Sequence, residues 1–135
     1  MQRGAFISDD VNLIANNNLV LYDNASVGDD SLLYAGQRVS ILTGANNQHI
    51  ISILSPKEIY IYNNVYLSGI ICGGSVSFGT NSFLAGSIMA GNYGVQNVLQ
   101  NGARVYYYSS QFPVVPPPGI SFAYSQVPGS WKELQ

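Results

Sequence analysis

Short runs of alternating β-type residues recur along the chain at a nearly fixed spacing, and few folds accommodate that pattern. The runs include Val11–Leu13, Leu19–Leu21, Val39–Ile41, Ile59–Ile61, Val65–Leu67, Val76–Phe78 and Val105–Tyr107. Each is three to five residues long, β-branched or aromatic, and bounded by Asn, Asp, Gly or Ser. These are the marks of short strands with tight turns. No stretch of eleven or more residues shows a capped 3.6-residue period, so helices are not expected.

The spacing carries the fold. Leu33, Ile53 and Ile71 follow one another at separations of 20 and 18. Gly69-Ile70 and Gly86-Ser87-Ile88 open similar segments 17 apart. Val76 and Val95 head apolar pairs 19 apart, and Asn81 and Asn101 sit near turns 20 apart. Self-similarity at a fixed period points to a solenoid, in which each coil hides its apolar side against the next. The expected fold is therefore all-β: a single β-solenoid of 17–20-residue coils over residues 1–112. Each coil would carry about three short strands, paired in parallel with its neighbours, with Asn stacked at the turns. An antiparallel β-sandwich is the alternative, since it also has short strands every 8 to 12 residues. Asn101-Gly102 is the one hairpin-type dipeptide in its favour. A finer six-residue pattern places apolar residues at Ile70, Val76 and Ile88, interrupted at Ser82, with Gly73, Gly79, Ala85 and Gly91 three positions on. It resembles the hexapeptide repeat of left-handed β-helices.

Residues 113–135 differ in character. Pro113 and Pro116–Pro118 exclude a central strand and favour extended polyproline geometry. This segment reads as a Pro-rich tail packed on the solenoid, with Phe122 and Trp131 as its anchors.

Composition bears mainly on function. Charged residues make up only 9% of the chain, against about 25% in typical domains. The five cations are scattered, so no nucleic-acid footprint is expected. A charge-poor, Asn-, Ser- and Tyr-rich surface suits an extracellular or surface-assembled protein. The apolar run at Ile70-Ile71 is too short to span a bilayer, and no signal peptide opens the chain.

Catalytic chemistry finds little to work with. His49 is the only histidine and lies in the polar run Ala45–His49, which reads as a turn. It has no second imidazole for a metal site. It also falls outside the hexapeptide-like stretch, which counts against an acyltransferase-like enzyme built on a histidine base. From Ile59 to Trp131 the only charged residue is Arg104, so paired carboxylates are excluded there. No catalytic residue, cofactor or metal is expected. Asp9-Asp10, Asp23 and Asp29-Asp30 read as solvated turns, although Gly28-Asp29-Asp30 has calcium-friendly chemistry. Cys72, alone, has no disulfide partner; flanked by Ile70, Ile71, Gly73 and Gly74, it reads as a small buried hydrophobe. Asn24-Ala25-Ser26 fits an N-glycosylation acceptor. Tyr60, Tyr62, Tyr66, Tyr106 and Tyr108 form the candidate interaction surface: alternate strand residues share a face, and exposed aromatic rows stack on sugars or bury at interfaces.

From about Ile59 onward, the text Gly69-Ile70-Ile71-Cys72, Gly86–Ala90, Val98–Tyr108, the Pro-rich passage and Ser130–Leu134 resembles the C-terminal region of PilX-type pilus assembly proteins of bacterial type IV pilus systems. The resemblance covers a little over half of the chain. It implies a surface-exposed structural or adhesive component whose partners are other pilus or surface-assembly subunits, with a glycan or other surface ligand as a further partner. Contact with a membrane would come only through an N-terminal hydrophobic helix that these residues lack, so Met1 is expected to open a trimmed soluble domain. The chain is also similar to bactofilins, self-polymerising cytoskeletal coils of comparable length, but their surfaces are charged.

Overall fold

A computed structural model describes residues 4–91 and 97–106 of the chain. They form a β-solenoid of about five turns, with no helix among them. Every strand pair among the described residues is parallel, which excludes the sandwich there. The Pro-rich tail at 113–135, with Phe122 and Trp131, lies outside the described residues, as do Tyr108 and Val95.

Each coil runs over three faces. Face C holds β1 (Phe6–Ile7) and β4 (Ser26–Val27), then the beginnings of β7 (Asn46–Ile61), β8 (Tyr66–Phe78) and β9 (Phe83–Ala90), and finally β11 (Arg104–Tyr106). Face A holds β2 (Asn12–Ala15), β5 (Ser31–Ala35) and the middle of β7, β8 and β9. Face B holds β3 (Asn18–Leu21), β6 (Arg38–Ile41), the ends of β7 and β8, and β10 (Val98–Leu99). Through the first coils the register offset is 20: Asn12 faces Leu32, Arg38 faces Glu58 and Asn46 faces Tyr66. It then tightens to 18 where Ile51 meets Gly69, and to 17 where Ile59 meets Val76 and Tyr66 meets Phe83. It widens to 21 where Ser77 meets Val98. The loss of residues falls at two irregularities of β7, between Asn46 and Ile50 and between Ser55 and Glu58.

The core is a set of vertical columns. On face A, Leu13, Leu33, Ile53, Ile71 and Ile88 stack in register. On face B, Leu19, Val39, Ile59 and Val76 form one column, and Leu21, Ile41, Ile61 and Phe78 a second. Leu33, Ile53, Ile71, Leu21, Ile41 and Phe78 are almost completely buried, each contributing roughly 1.5–3 kcal/mol of transfer free energy. The regular sequence spacing of Leu33, Ile53 and Ile71 is thus a physical stack.

The six-residue phase is not kept. Ile71, not Ile70, points inward, because Ile71 pairs with Ile88 while Ile70 pairs with Ser87. Cys72 likewise alternates outward between inward Ile71 and Gly73, so it is half-exposed rather than buried. Asn101-Gly102 does not close a hairpin either. It forms a corner within the parallel coil, where Ala103 N–H donates to the Gln100 carbonyl at 3.0 Å.

That corner recurs in every coil. Gly4, Asn24, Gly44, Asn64, Asn81 and Gly102 all have positive φ, between 55° and 81°. Their separations match the strand register coil by coil. The residue after each is small or β-branched: Ala25, Ala45 and Val65 are fully buried and Ser82 nearly so. Hydrogen bonds from Ala25, Ala45, Ser82 and Ala103 N–H to the carbonyls of Tyr22, Leu42, Gly79 and Gln100 close the turns. Positive φ at the third turn position explains the restriction to Asn and Gly.

Two further glycines serve close approach on face A. A Cβ added at Gly69, where φ is +130°, would lie 1.8 Å from the Ile51 carbonyl oxygen. One at Gly86 would lie 1.7 Å from the Gly69 carbonyl oxygen. Thermal or urea unfolding should separate these two kinds of position. Asn64→Gly is expected to be neutral and Asn64→Ala to cost ~1–2 kcal/mol, the penalty for an L-residue forced into left-handed geometry. Gly69→Ala should cost well beyond the ~1 kcal/mol typical of point substitutions; equal effects at the two sites would contradict the column geometry.

Candidate functional sites on the coil surface

Corners between faces C and A interrupt the ladder and leave backbone N–H groups that must find acceptors. Side chains from adjacent coils supply them. Val11 N–H donates to Ser31 Oγ at 3.0 Å and Val27 N–H to Asn47 Oδ1 at 2.9 Å, and at the corner between faces B and C Val65 N–H donates likewise to Ser82 Oγ at 3.0 Å. Asp29 N–H donates to Asp9 Oδ1 at 2.9 Å, and Ile50 N–H to Asp29 Oδ1 at 2.7 Å. Asn47 is fully buried, inward-facing between Val27 and Leu67, and its Nδ2 donates to the His49 carbonyl at 3.2 Å. No buried side-chain polar atom among the described residues lacks a partner.

These corners stack Asp9, Asp29 and His49 in three successive coils, each one register repeat from the next. His49 belongs to β7 at the first irregularity, not to a turn. Its Nδ1 lies 3.3 Å from Asp29 Oδ2, and its ring centroid lies 6.1 Å from that of Phe6. Ligand-type atoms of all three residues fall within 4.8 Å of one another, so among the described residues this is the set that could hold a cation. Asp30, offered with Asp29 by the sequence as calcium-friendly, is not part of it; its positive φ of 57° makes it a corner residue. The visible work of both acids in the column is structural, since the Oδ1 of each accepts a hydrogen bond from a backbone N–H of the next coil. The equal spacing of Asp9, Asp29 and His49 was in the sequence, but it becomes meaningful only once the register is known.

The Ile50 N–H, and secondarily His49, hold the Asp29 carboxyl below the usual carboxylate range. A depressed folded-state pKa stabilises the fold above the unfolded value, about 3.9, and that stabilisation disappears as pH falls through the folded value. Asp29→Asn should therefore melt a few degrees below the parent at neutral pH, with the difference closing as pH drops below about 4. Melting curves across pH check this: a constant gap would remove the charge from the explanation.

The tyrosines divide between two faces. Asn63 and the left-handed corner at Asn64 separate Tyr60 and Tyr62 from Tyr66. On face B, Tyr60 is half-buried under the Arg38 guanidinium, 4.8 Å from its ring centroid. Arg38 in turn donates to Glu58 Oε2. This pair is solvent-exposed enough to contribute only ~0.2–1 kcal/mol. Tyr62 is exposed at the corner. On face C, Tyr66, Phe83 and Tyr106 form a continuous aromatic ladder. Ring centroids are 6.0 Å apart for Tyr66 and Phe83, and 5.5 Å for Phe83 and Tyr106. Tyr66 is 52% exposed and Tyr106 46%. Phe83 links the row but is missed by a search for tyrosine alone; the shortened register that pairs it with Tyr66 is the signal that reveals it.

The architecture defines the chain as a β-solenoid. It matches no protein-family model, no curated protein and no solved structure.

Proposed function

We propose that this protein is a non-enzymatic structural or adhesive surface component of a type IV pilus-like assembly, working outside the cytoplasm. The observation that carries the reading is the aromatic ladder Tyr66–Phe83–Tyr106, exposed along face C with spacing suited to a flat partner. Rings offered in this way lose little conformational freedom on contact and bury a large area. Pilus subunits, or a sugar on an opposing surface, supply such a partner. The resemblance of residues 59–135 to PilX-type proteins supports the pilus setting. Scarcity of charge supports contact through packing rather than steering.

One observation favours the self-polymerising alternative. Among the described residues, β1 and β2 each pair with a neighbouring coil on one side only, an edge onto which another coil would stack. Electron microscopy of the purified protein separates the two readings, because only the alternative predicts filaments from this chain alone.

The main reading is tested in the source cell. Replacing Tyr66, Phe83 and Tyr106 together with Ser is expected to leave protein level and melting temperature nearly unchanged. Filament display or surface attachment should fall at least tenfold. His49→Ala should leave both intact. Loss of function with His49→Ala and not with the triple variant would overturn the proposal.

A further inference from the structure

The outer side of face A carries an apolar line running the length of the solenoid. Ile14, Tyr34, Leu54, Cys72 and Met89 lie in register in five successive coils. At about 4.8 Å per coil the line is roughly 19 Å long. Ile14 is 68% exposed and Met89 41%. A groove of about 460 Å³ lies beside it, bordered by Pro56, Gly74 and Gly91. No Asp, Glu, Lys or Arg occurs in β2, β5 or the face A parts of β7, β8 and β9. Faces B and C, by contrast, carry Arg38, Glu58 and Arg104. A continuous uncharged apolar strip on a monomer marks a surface that another chain segment or molecule covers.

We infer that residues 113–135 of this same chain cover it. Three observations identify the occupant. The first is direction: each coil passes from face C to face A, and β11 ends at Tyr106, level with Ala85, from which β9 continues over Met89. The described chain therefore stops on face C, four residues before the level of Met89, the last member of the strip. The second is length: the chain continues from Tyr106 to Gln135, while a strip of roughly 19 Å needs only about six extended residues. The third is chemistry: residues 107–131 contain no charge, and Val114, Val115, Ile120, Phe122 and Trp131 offer apolar bulk to an apolar strip. Pro113 and Pro116–Pro118 cannot extend the ladder, so the segment would lie across the side chains rather than add another coil. The inference is independent of the pilus reading.

Cys72, at the centre of the strip, is a built-in reporter. Its maleimide labelling rate is measured in the full native chain and in denaturant. The expected result is labelling at least tenfold slower in the native chain, independent of protein concentration. Phe122→Ala combined with Trp131→Ala should accelerate it severalfold, with circular dichroism unchanged. Native labelling as fast as in denaturant would overturn the inference. So would a rate untouched by the double variant, or protection lost on dilution, which would assign the strip to a second copy. Should the double variant unfold, a photo-crosslinking residue in place of Tyr34 gives an independent readout. Crosslinks to residues 113–135 within a monomer support the inference, and crosslinks only between copies overturn it.

Discussion

Everything in this molecule depends on backbone hydrogen bonding between coils rather than within them. A parallel ladder fixes each residue beside its equivalent one coil away, so a single inward position becomes a column and a single turn becomes an edge. That is why the 19 well-buried hydrophobic residues among the described ones suffice to hold a narrow interior together. They touch along lines, and each line is continued by the next coil. It is also why the corners are chemically strict. A turn repeated in every coil must repeat its left-handed residue, and the chain uses Asn or Gly at all six positions, Gly4, Asn24, Gly44, Asn64, Asn81 and Gly102.

Much of this was legible in the sequence, and the exceptions have physical causes. Leu33, Ile53 and Ile71 gave the period directly, because inward positions in a stacked column must be apolar. The inward phase near Ile70 was not legible. Two adjacent isoleucines satisfy either phase, and only pairing with Ser87 or Ile88 distinguishes them. Cys72 was misplaced for the same reason, since its apolar neighbours signal burial in sequence but alternate with it across the strand. The corners were partly visible as turns near Asn81 and Asn101, but Asn101-Gly102 was also the one dipeptide that spoke for a hairpin, whereas Gly102 supplies the left-handed residue of a coil corner. A local turn preference does not say whether the chain returns antiparallel or continues around a coil.

The surface was harder to read than the core. Tyr60, Tyr62 and Tyr66 are close in sequence, yet the Asn63-Asn64 corner sends them to different faces. Tyr66, Phe83 and Tyr106 are far apart in sequence, yet they adjoin. Asp9, Asp29 and His49 meet for the same reason. In a solenoid, neighbours across coils are separated by a full coil of sequence, and here the length of that coil varies, so a surface cluster is invisible until the register is established. Charge follows this geometry as well. It gathers where Arg38 and Glu58 meet on face B and where acids cap the C-to-A corner, leaving face A neutral.

The irregularity at Asn47–His49 has a broader meaning for how such a chain can change. There the coil holds two residues more than its successor, but Asn47 fills the interior and gives Val27 its missing acceptor, so the columns above and below continue without a break. Perimeter is thus adjustable at the corners while alignment along the axis is not. Descendants of this sequence could gain or lose residues at such points and still thread the same interior, whereas an insertion of one residue within Leu67–Ile71 would turn a whole face inside out.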